Sequence, residues 1–379
     1  MLIVYLSNYL NHHQLPIADE LCKLTNNCFY FIATRDIPLF RKKLGYEEYD
    51  KSYLIKSYMN MEEYRKAEQL IIDADVVIFG GVSSYPLLTE RIKLNKLIIE
   101  VGERWLKRGW INLFSPNLLR WLITYYTKFR GKQVFRLCAS AYAVNDMKLL
   151  GAYKGKCYKW GYFTKVPNID ICKSLDEKIS KHTKIKIMWG GRFLKWKHPE
   201  LAVKVAKYLK ERGYIFELNM YGTGTIYTKI EQYVDKLNLR DVVHLHGAVR
   251  NEVLLATMQH HDIFLFTSDK NEGWGAVANE AMSNGCILVG SNKIGSIPYL
   301  LEDGMNGCIF ESGDIDSLVN KVEWLINNPG ERKRLAINAY NTIMNIWSPR
   351  KASENLIKLI TYLQGNDALQ VLDGPCSKA

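Results

Sequence analysis

The chain has 379 residues, 47% of them hydrophobic and 24% charged, a globular balance that excludes disorder, collagen and coiled coil as the main state. Lys and Arg number 51 against 39 Asp and Glu, a formal net charge of +12 that favours an anionic partner, with nucleic acid, a membrane surface and a phosphorylated substrate all qualifying. The length is that of about two ordinary domains, enough to bury large cores without disulfides.

The N-terminal MLIVYLSNYLNHH has no basic leader and reads as a first strand. Short apolar runs follow at Phe29–Ala33, 75–79, 97–101 and Val134–Cys138, each five residues and most of them rich in β-branched or aromatic residues. A second series lies at 185–189, 215–221, 242–245, Ile263–Phe266 and 287–290. Amphipathic or polar segments separate the runs, among them helical patterns at Pro199–Glu211, 252–258 and Pro349–Leu363. Alternation on this scale predicts an α/β fold with two doubly wound parallel sheets. The seam falls in the polar, Pro-containing stretch 166–184. The expected domains are 1–165, 166–345 and a helix in 346–365, followed by a mobile tail, 366–379, with little pattern. In such sheets ligands bind at the carboxyl ends of the strands, so a cleft between the domains is the expected site.

The eight cysteines show no CxxC and no zinc-like spacing with His, which suits thiols in a reducing cytoplasm. No run reaches the ~18 to 20 apolar residues of a membrane span. Residues 104–132 contain seven Arg or Lys and no acid, with Leu118, Trp121, Leu122, Tyr125 and Phe129 at helical spacing. This is either a core helix with a solvated basic side or a surface helix for an anionic membrane, which would put the protein peripherally on a cytoplasmic face. No nucleic-acid-binding module is recognisable.

Three stretches carry chemistry. Residues 271–285, NEGWGAVANEAMSNG, follow an apolar strand and turn helical after Gly275. A strand, Gly-rich turn and helix in series point backbone N–H groups at an anion, most naturally phosphate. Glu272 and Glu280 flank this turn. On a helix they would be about 12 Å apart in rise and rotated by about 80°, so they would grip two ends of an extended ligand rather than one small atom. Glu280 suits ribose hydroxyls, and Glu272 the group beyond the phosphates. In WGGRFLKWKHPE (189–200), Gly190 and Gly191 end a strand and are followed by Arg192 and Lys197, two cations that suit a diphosphate. The D-x-D triplets at 73–75 and 314–316 read as a strand opening and a helix N-cap rather than metal sites. The segment Gly222-Thr-Gly224-Thr-Ile-Tyr227 lacks the third Gly of the dinucleotide fingerprint, which disfavours an oxidoreductase.

In this order, GRFLKWK, MYGTG (220–224), HLHGAV (244–249), EGWGAVANEAMSNG (272–285) and IGSIPYLLEDGMNGCIF (294–310) closely resemble glycosyltransferase family 4, retaining enzymes of the GT-B fold common in bacterial surface-polysaccharide synthesis. The likeness covers 184–330 well and is weaker over 1–165. It implies two Rossmann-like domains facing across a cleft, with an N-terminal acceptor domain, a C-terminal nucleotide-sugar domain and a C-terminal helix, 346–365, that crosses back to the N-terminal domain. By the resemblance Arg192 and Lys197 hold the donor diphosphate, Glu272 contacts the donor sugar and Glu280 the ribose. Gly191, Gly222 and Gly224 form donor-side turns, and Gly273, Trp274 and Gly275 present amides to phosphate and sugar. His246, Gly247, Ala248 and Val249 lie beside the base. Trp274 stands where the family more often has Phe. His12 and His13 occupy an acceptor-side loop. Relatives keep a His near 100–104; this sequence has none there, and Glu103 is the local substitute. The resemblance further implies that no metal or other cofactor is needed, and that a sugar passes to a glycan or polyprenyl-diphosphate-linked acceptor. The same architecture also serves sugar-nucleotide epimerases, phosphorylases and non-catalytic partner subunits.

Overall fold

The computed structural model of the chain describes all residues except 43–45, 82–84, 108, 182–183 and 367. Arg108 of the basic stretch, His182 and Thr183 of the seam and Asp367 of the tail therefore lie outside the described residues. The chain forms two compact units, Met1–Lys165 with Ile346–Ala379, and Val166–Asn345.

The first unit is built on a seven-stranded sheet of β1 (Ile3–Ser7), β2 (Phe29–Ala33), β3 (Leu54–Lys56), β4 (Val76–Gly80), β5 (Ile98–Gly102), β6 (Val134–Cys138) and β7 (Cys157–Lys159). The order is β3-β2-β1-β4-β5-β6-β7 and every pairing is parallel. The strands are apolar on both faces because helices cover both, as a parallel sheet requires. The second unit carries β8 (Ile185–Gly190), β9 (Phe216–Tyr221), β10 (Val243–Gly247), β11 (Ile263–Phe266), β12 (Ile287–Ser291) and β13 (Cys308–Phe310). Its order is β10-β9-β8-β11-β12-β13, again all parallel. Both sheets have the doubly wound order, in which the chain reverses direction beside its first strand. In the second unit that switch point lies between β8 and β11.

The ten apolar runs are all strands, within about one or two residues at their ends. The three further strands, β3, β7 and β13, are three residues long and lie at or next to a sheet edge. They are too short to register as an apolar run.

The tail expectation is corrected. Cys376 and Ser377 are buried, and Cys376 N–H donates to the Lys159 carbonyl (2.8 Å) while Lys159 N–H donates to that of Ser377 (2.9 Å). Tyr158 and Lys378 form an antiparallel bridge, so the end of the chain lines the β7 edge. The helix Pro349–Leu363, capped by Ser348 and started by Pro349, packs on helix Leu15–Leu24 within the first unit, where Ser353 Oγ donates to the Ile17 carbonyl (3.5 Å). Of the D-x-D triplets, Asp75 accepts from Leu2 N–H and Asp314 caps the helix Ile315–Asn327.

Candidate active site

The order β10-β9-β8-β11 sets four strand ends side by side, and each is followed by a segment already singled out by its chemistry. At about 4.8 Å per strand, the row spans about 14 Å, the length of an extended nucleotide rather than of a single small group.

The β9 and β8 ends lock together first. Gly191 N–H donates to the Tyr221 carbonyl (3.0 Å), Phe193 N–H to that of Thr223 (2.9 Å) and Gly222 N–H to that of Gly247 (2.7 Å). Gly222 has φ +124°, and a Cβ there would lie inside the Gly191 carbonyl. Only glycine fits that conformation and that approach. Gly224 is pressed against the Phe193 backbone in the same way. At the β10 end the His246 ring stacks flat on Tyr221 (4.4 Å between centroids), with Nε2 2.7 Å from Asn219 Oδ1. Burial, and then the nearby His244, lower its pKa, so it is a neutral flat surface at pH 7. Ala248 and Val249 are exposed beyond it.

Across the switch point, Trp189 Nε1 donates to Thr267 Oγ1 (2.9 Å), which donates to the Lys197 carbonyl (2.7 Å). Asp269 N–H donates to the Trp196 carbonyl (3.0 Å). These bonds fasten the basic loop after β8 to the turn after β11. The result is a direct ion pair between Lys197 and Glu272, 75 residues apart in sequence, with side chains 13% and 11% exposed. Ser268 Oγ also donates to Glu272 Oε2 (3.0 Å). Sequence reasoning assigned these two residues to different parts of a ligand; the structure pairs them with each other. Arg192, by contrast, is exposed and makes no salt bridge among the described residues.

The turn follows β11 as a loop and then a short helix. Its helix runs from Val277 to Ser283, so Glu272 is on the loop and Glu280 on the helix, as the composition after Gly275 predicts. The backbone N–H groups of Gly273, Gly275 and Ala276 take no partner among the described residues. Gly275 has φ +78°, and a Cβ there would strike the Phe266 ring, which draws the turn tightly over β11. Trp274 is fully buried, its indole N–H donates to Asn279 Oδ1 (2.8 Å) and its carbonyl accepts from Ser296 Oγ (2.6 Å). Its side chain is therefore a core anchor for the turn, and any ligand contact from this position is left to the main chain.

Glu280 is 6% exposed, and burial pushes its carboxyl up to about 7 against a hydrogen bond from Asn251 that acts the other way. A carboxyl whose folded pKa exceeds its ordinary 4.5 makes the folded state hold the proton longer, so stability falls as pH rises from about 4.5 to 7. The E280Q variant is expected to remove that slope. In urea melts it should be about 3 kcal/mol more stable than the parent at pH 8 and nearly equal at pH 4.5. Destabilisation of E280Q at pH 8 would contradict the assignment.

In the first unit the acceptor-side candidates also gather at the carboxyl edge. His12 and His13 stack at 3.9 Å, and the His13 ring lies over Tyr162 (6.2 Å), whose hydroxyl donates to Glu103 Oε1 (2.5 Å). Glu103 also pairs with Lys107. Burial, followed by His12 and Arg41, lowers His13 to about 3, and burial lowers His12 too. These histidines are neutral and do not supply positive charge for a phosphate. Sequence reasoning missed a shallow depression beyond β1–β3, lined by Tyr9, Arg35, Asp36, Tyr49, Lys56 and Tyr58. Tyr9 just after β1 and Tyr58 just after β3 were the available signal.

Residues 173–342 match the family described as Glycosyl transferases group 1. An uncharacterized glycosyltransferase of Methanocaldococcus jannaschii is 26% identical over 332 residues, 82% of this chain and 81% of its own length. The amylovoran biosynthesis glycosyltransferase AmsK of Erwinia amylovora is 28% identical over 142 residues, 36% of this chain and 35% of AmsK. Among solved structures, HepE of Anabaena in complex with UDP superposes with TM-score 0.70, covering 96% of this chain and 100% of HepE at 14% identity, a likeness of fold alone. The fold is GT-B, and the matched segment with these relatives supports a glycosyltransferase of the hexosyltransferase class.

Proposed function

We propose that the protein is a retaining glycosyltransferase of family 4 type, moving a sugar from a nucleotide-diphospho sugar to a glycan or a polyprenyl-diphosphate-linked acceptor in surface-polysaccharide synthesis. The observation that supports this reading is the row of strand ends β10-β9-β8-β11, which brings a flat ring, a glycine turn, two cations and unpaired amides side by side along one sheet edge. His246 to Val249 take the base, Glu280 the ribose, and Gly191, Gly222 and Gly224 admit the backbone of the donor. Arg192, Lys197 and the amides of Gly273 and Gly275 hold the diphosphate, and Glu272 the sugar. HepE, which binds UDP, and AmsK, which is named for amylovoran biosynthesis, support the donor and the pathway class respectively.

The bond that breaks joins the sugar to the diphosphate, and negative charge grows on the leaving phosphate. Arg192 meets it with a planar fork and Lys197 with a point charge, on the principle that preorganised charge lowers the barrier most where charge develops. The Lys197–Glu272 pair gives this a structural logic. Glu272 keeps the ammonium in place before donor arrives, and the diphosphate then takes over as its counterion, freeing a carboxylate beside the sugar. On the acceptor side, His12 and His13 line the carboxyl edge of the first unit's sheet, and Glu103, held by Tyr162 and Lys107, takes the place of the histidine that relatives keep beside the donor sugar. Peripheral attachment to an anionic membrane face belongs to the same reading. No helix among the described residues is long and apolar enough to cross a membrane.

The test is a hydrolysis screen across UDP-, GDP- and ADP-sugars without acceptor. One donor class is expected to release nucleoside diphosphate above background. Release should survive EDTA, because protein cations take the charge that a metal would otherwise take. No release with any donor would overturn the reading, and loss of release with EDTA would overturn its metal-independent part.

A further inference from the structure

The depression beyond the ends of β1, β2 and β3 lies on the outer side of β1, away from the first unit's switch point between β1 and β4. It holds about 280 Å³ of empty space, at the small end of ligand sites and suited to one ring rather than a chain. Leu10, Ala33 and Ile37 are buried and give it an apolar floor, and Tyr9, Tyr49 and Tyr58 also line it. Its four charged side chains are not equivalent. Asp36 and Glu48 share Lys42 (3.3 and 2.6 Å), and Glu48 also lies 3.5 Å from Lys56. Both carboxylates and Lys56 therefore have counterions. Arg35 is exposed and has no ion partner among the described residues. Its backbone N–H donates to the Asn8 carbonyl (3.0 Å), and its guanidinium lies over the Tyr9 ring at 5.9 Å.

The depression thus carries one spare positive charge, on a planar fork that matches a carboxylate, beside aromatic rings. We propose that it binds a carboxylate-bearing sugar, a hexuronic acid residue of a glycan. The carboxylate meets Arg35, and the C–H face of the sugar ring packs on Tyr9 and Tyr58, whose ring faces are electron-rich. Asp36, Glu48 and Lys56 offer acceptors and a donor to the ring hydroxyls. The same two carboxylates weigh against a dianionic phosphate, which one spare cation would not balance. An aromatic ledge leads out of the depression. Tyr9 meets Tyr46 edge to face at 6.4 Å, and Tyr46 meets His12 in the same way at 4.8 Å. A glycan whose accepting end lies at His12 would therefore set an earlier residue against Arg35. That last step rests on the function proposed above; the uronate subsite does not.

The test titrates the full-length protein, by ligand-observed NMR, with the methyl glycosides of glucuronic, galacturonic and mannuronic acid, each beside its neutral parent sugar. At least one uronoside is expected to bind about tenfold more tightly than its parent, the factor of one charge-assisted contact. Arg35→Ala should erase that preference, and Arg35→Lys, which keeps the charge without the fork, should fall between. Tyr58→Ala should weaken the uronoside and its parent alike, because it removes the surface under the ring rather than the charge. Arg35 and Tyr58 are exposed, so the melting curves of these variants should match that of the parent protein. Equal affinity for every uronoside and its parent overturns the proposal, as does a preference that survives Arg35→Ala. So does displacement of the uronoside by an equal concentration of inorganic phosphate, since the depression would then be a plain anion site. Binding is read without a nucleotide-sugar donor, so failure of the subsite and failure of the glycosyltransferase reading are separate results.

Discussion

Lys197→Ala is expected to lose activity and stability together, and the two losses are expected to part company in a double variant. Lys197 and Glu272 form a largely buried pair, with Ser268 as the other donor to the carboxylate. Removing the lysine alone leaves a buried carboxylate with one hydroxyl, and breaking such a pair from one side costs about 3 kcal/mol. Removing both charges leaves nothing uncompensated, so Lys197→Ala/Glu272→Ala should recover most of that stability in denaturant melts. It should recover none of the turnover. A donor to the leaving diphosphate is worth roughly 10²- to 10³-fold in kcat, and the double variant still lacks it. If the double variant is no more stable than the single one, the pair does not act as a unit and the exchange of counterions proposed for donor binding fails.

Arg192→Ala should behave in the opposite way. Its side chain is exposed and holds no ion partner among the described residues, so the fold loses nothing with it and the melting temperature should stay within about a degree. The expected loss is in kcat, again roughly 10²- to 10³-fold, with a smaller change in KM for the donor. Arg192→Lys should restore part of this and no more. It returns the charge without the planar fork that meets two phosphate oxygens at once. Normal turnover by the alanine variant would remove Arg192 from the site.

The contrast between these two cations was not legible in the sequence, where both stand in one loop, GRFLKWK. Apolar runs report which segments are strands, but not the order in which strands pair. Once β8 and β11 are neighbours, the loops after them must meet, and the Lys197–Glu272 contact follows. Gly222 and Gly275 were legible because a glycine at a strand end carries its own reason, and the structure supplies it in the Gly191 carbonyl and the Phe266 ring. Trp274 was legible only in part. Flanked by two glycines, it offers its amide to a ligand-facing turn, and what residue type did not disclose is that its indole fills the core and anchors that turn. Residues 368–379 were invisible for another reason. They are held by backbone hydrogen bonds and a few buried side chains, Val371, Pro375, Cys376 and Ser377, which leave no hydrophobic period to read. The neutrality of His12 and His13 depends on burial, which residue type alone does not disclose.

The chain end woven beside β7 has a consequence for synthesis. The first unit consists of residues 1–165 and 346–379, and the second of the stretch between them. On the ribosome the second unit has its whole sequence available while the first still lacks its last helix and the cover of its β7 edge. The part made first is thus completed last, and in the interval it presents an open strand edge and the uncovered flank of helix Leu15–Leu24. A stalled or shortened chain would therefore contain a finished second unit attached to an unfinished, aggregation-prone first one.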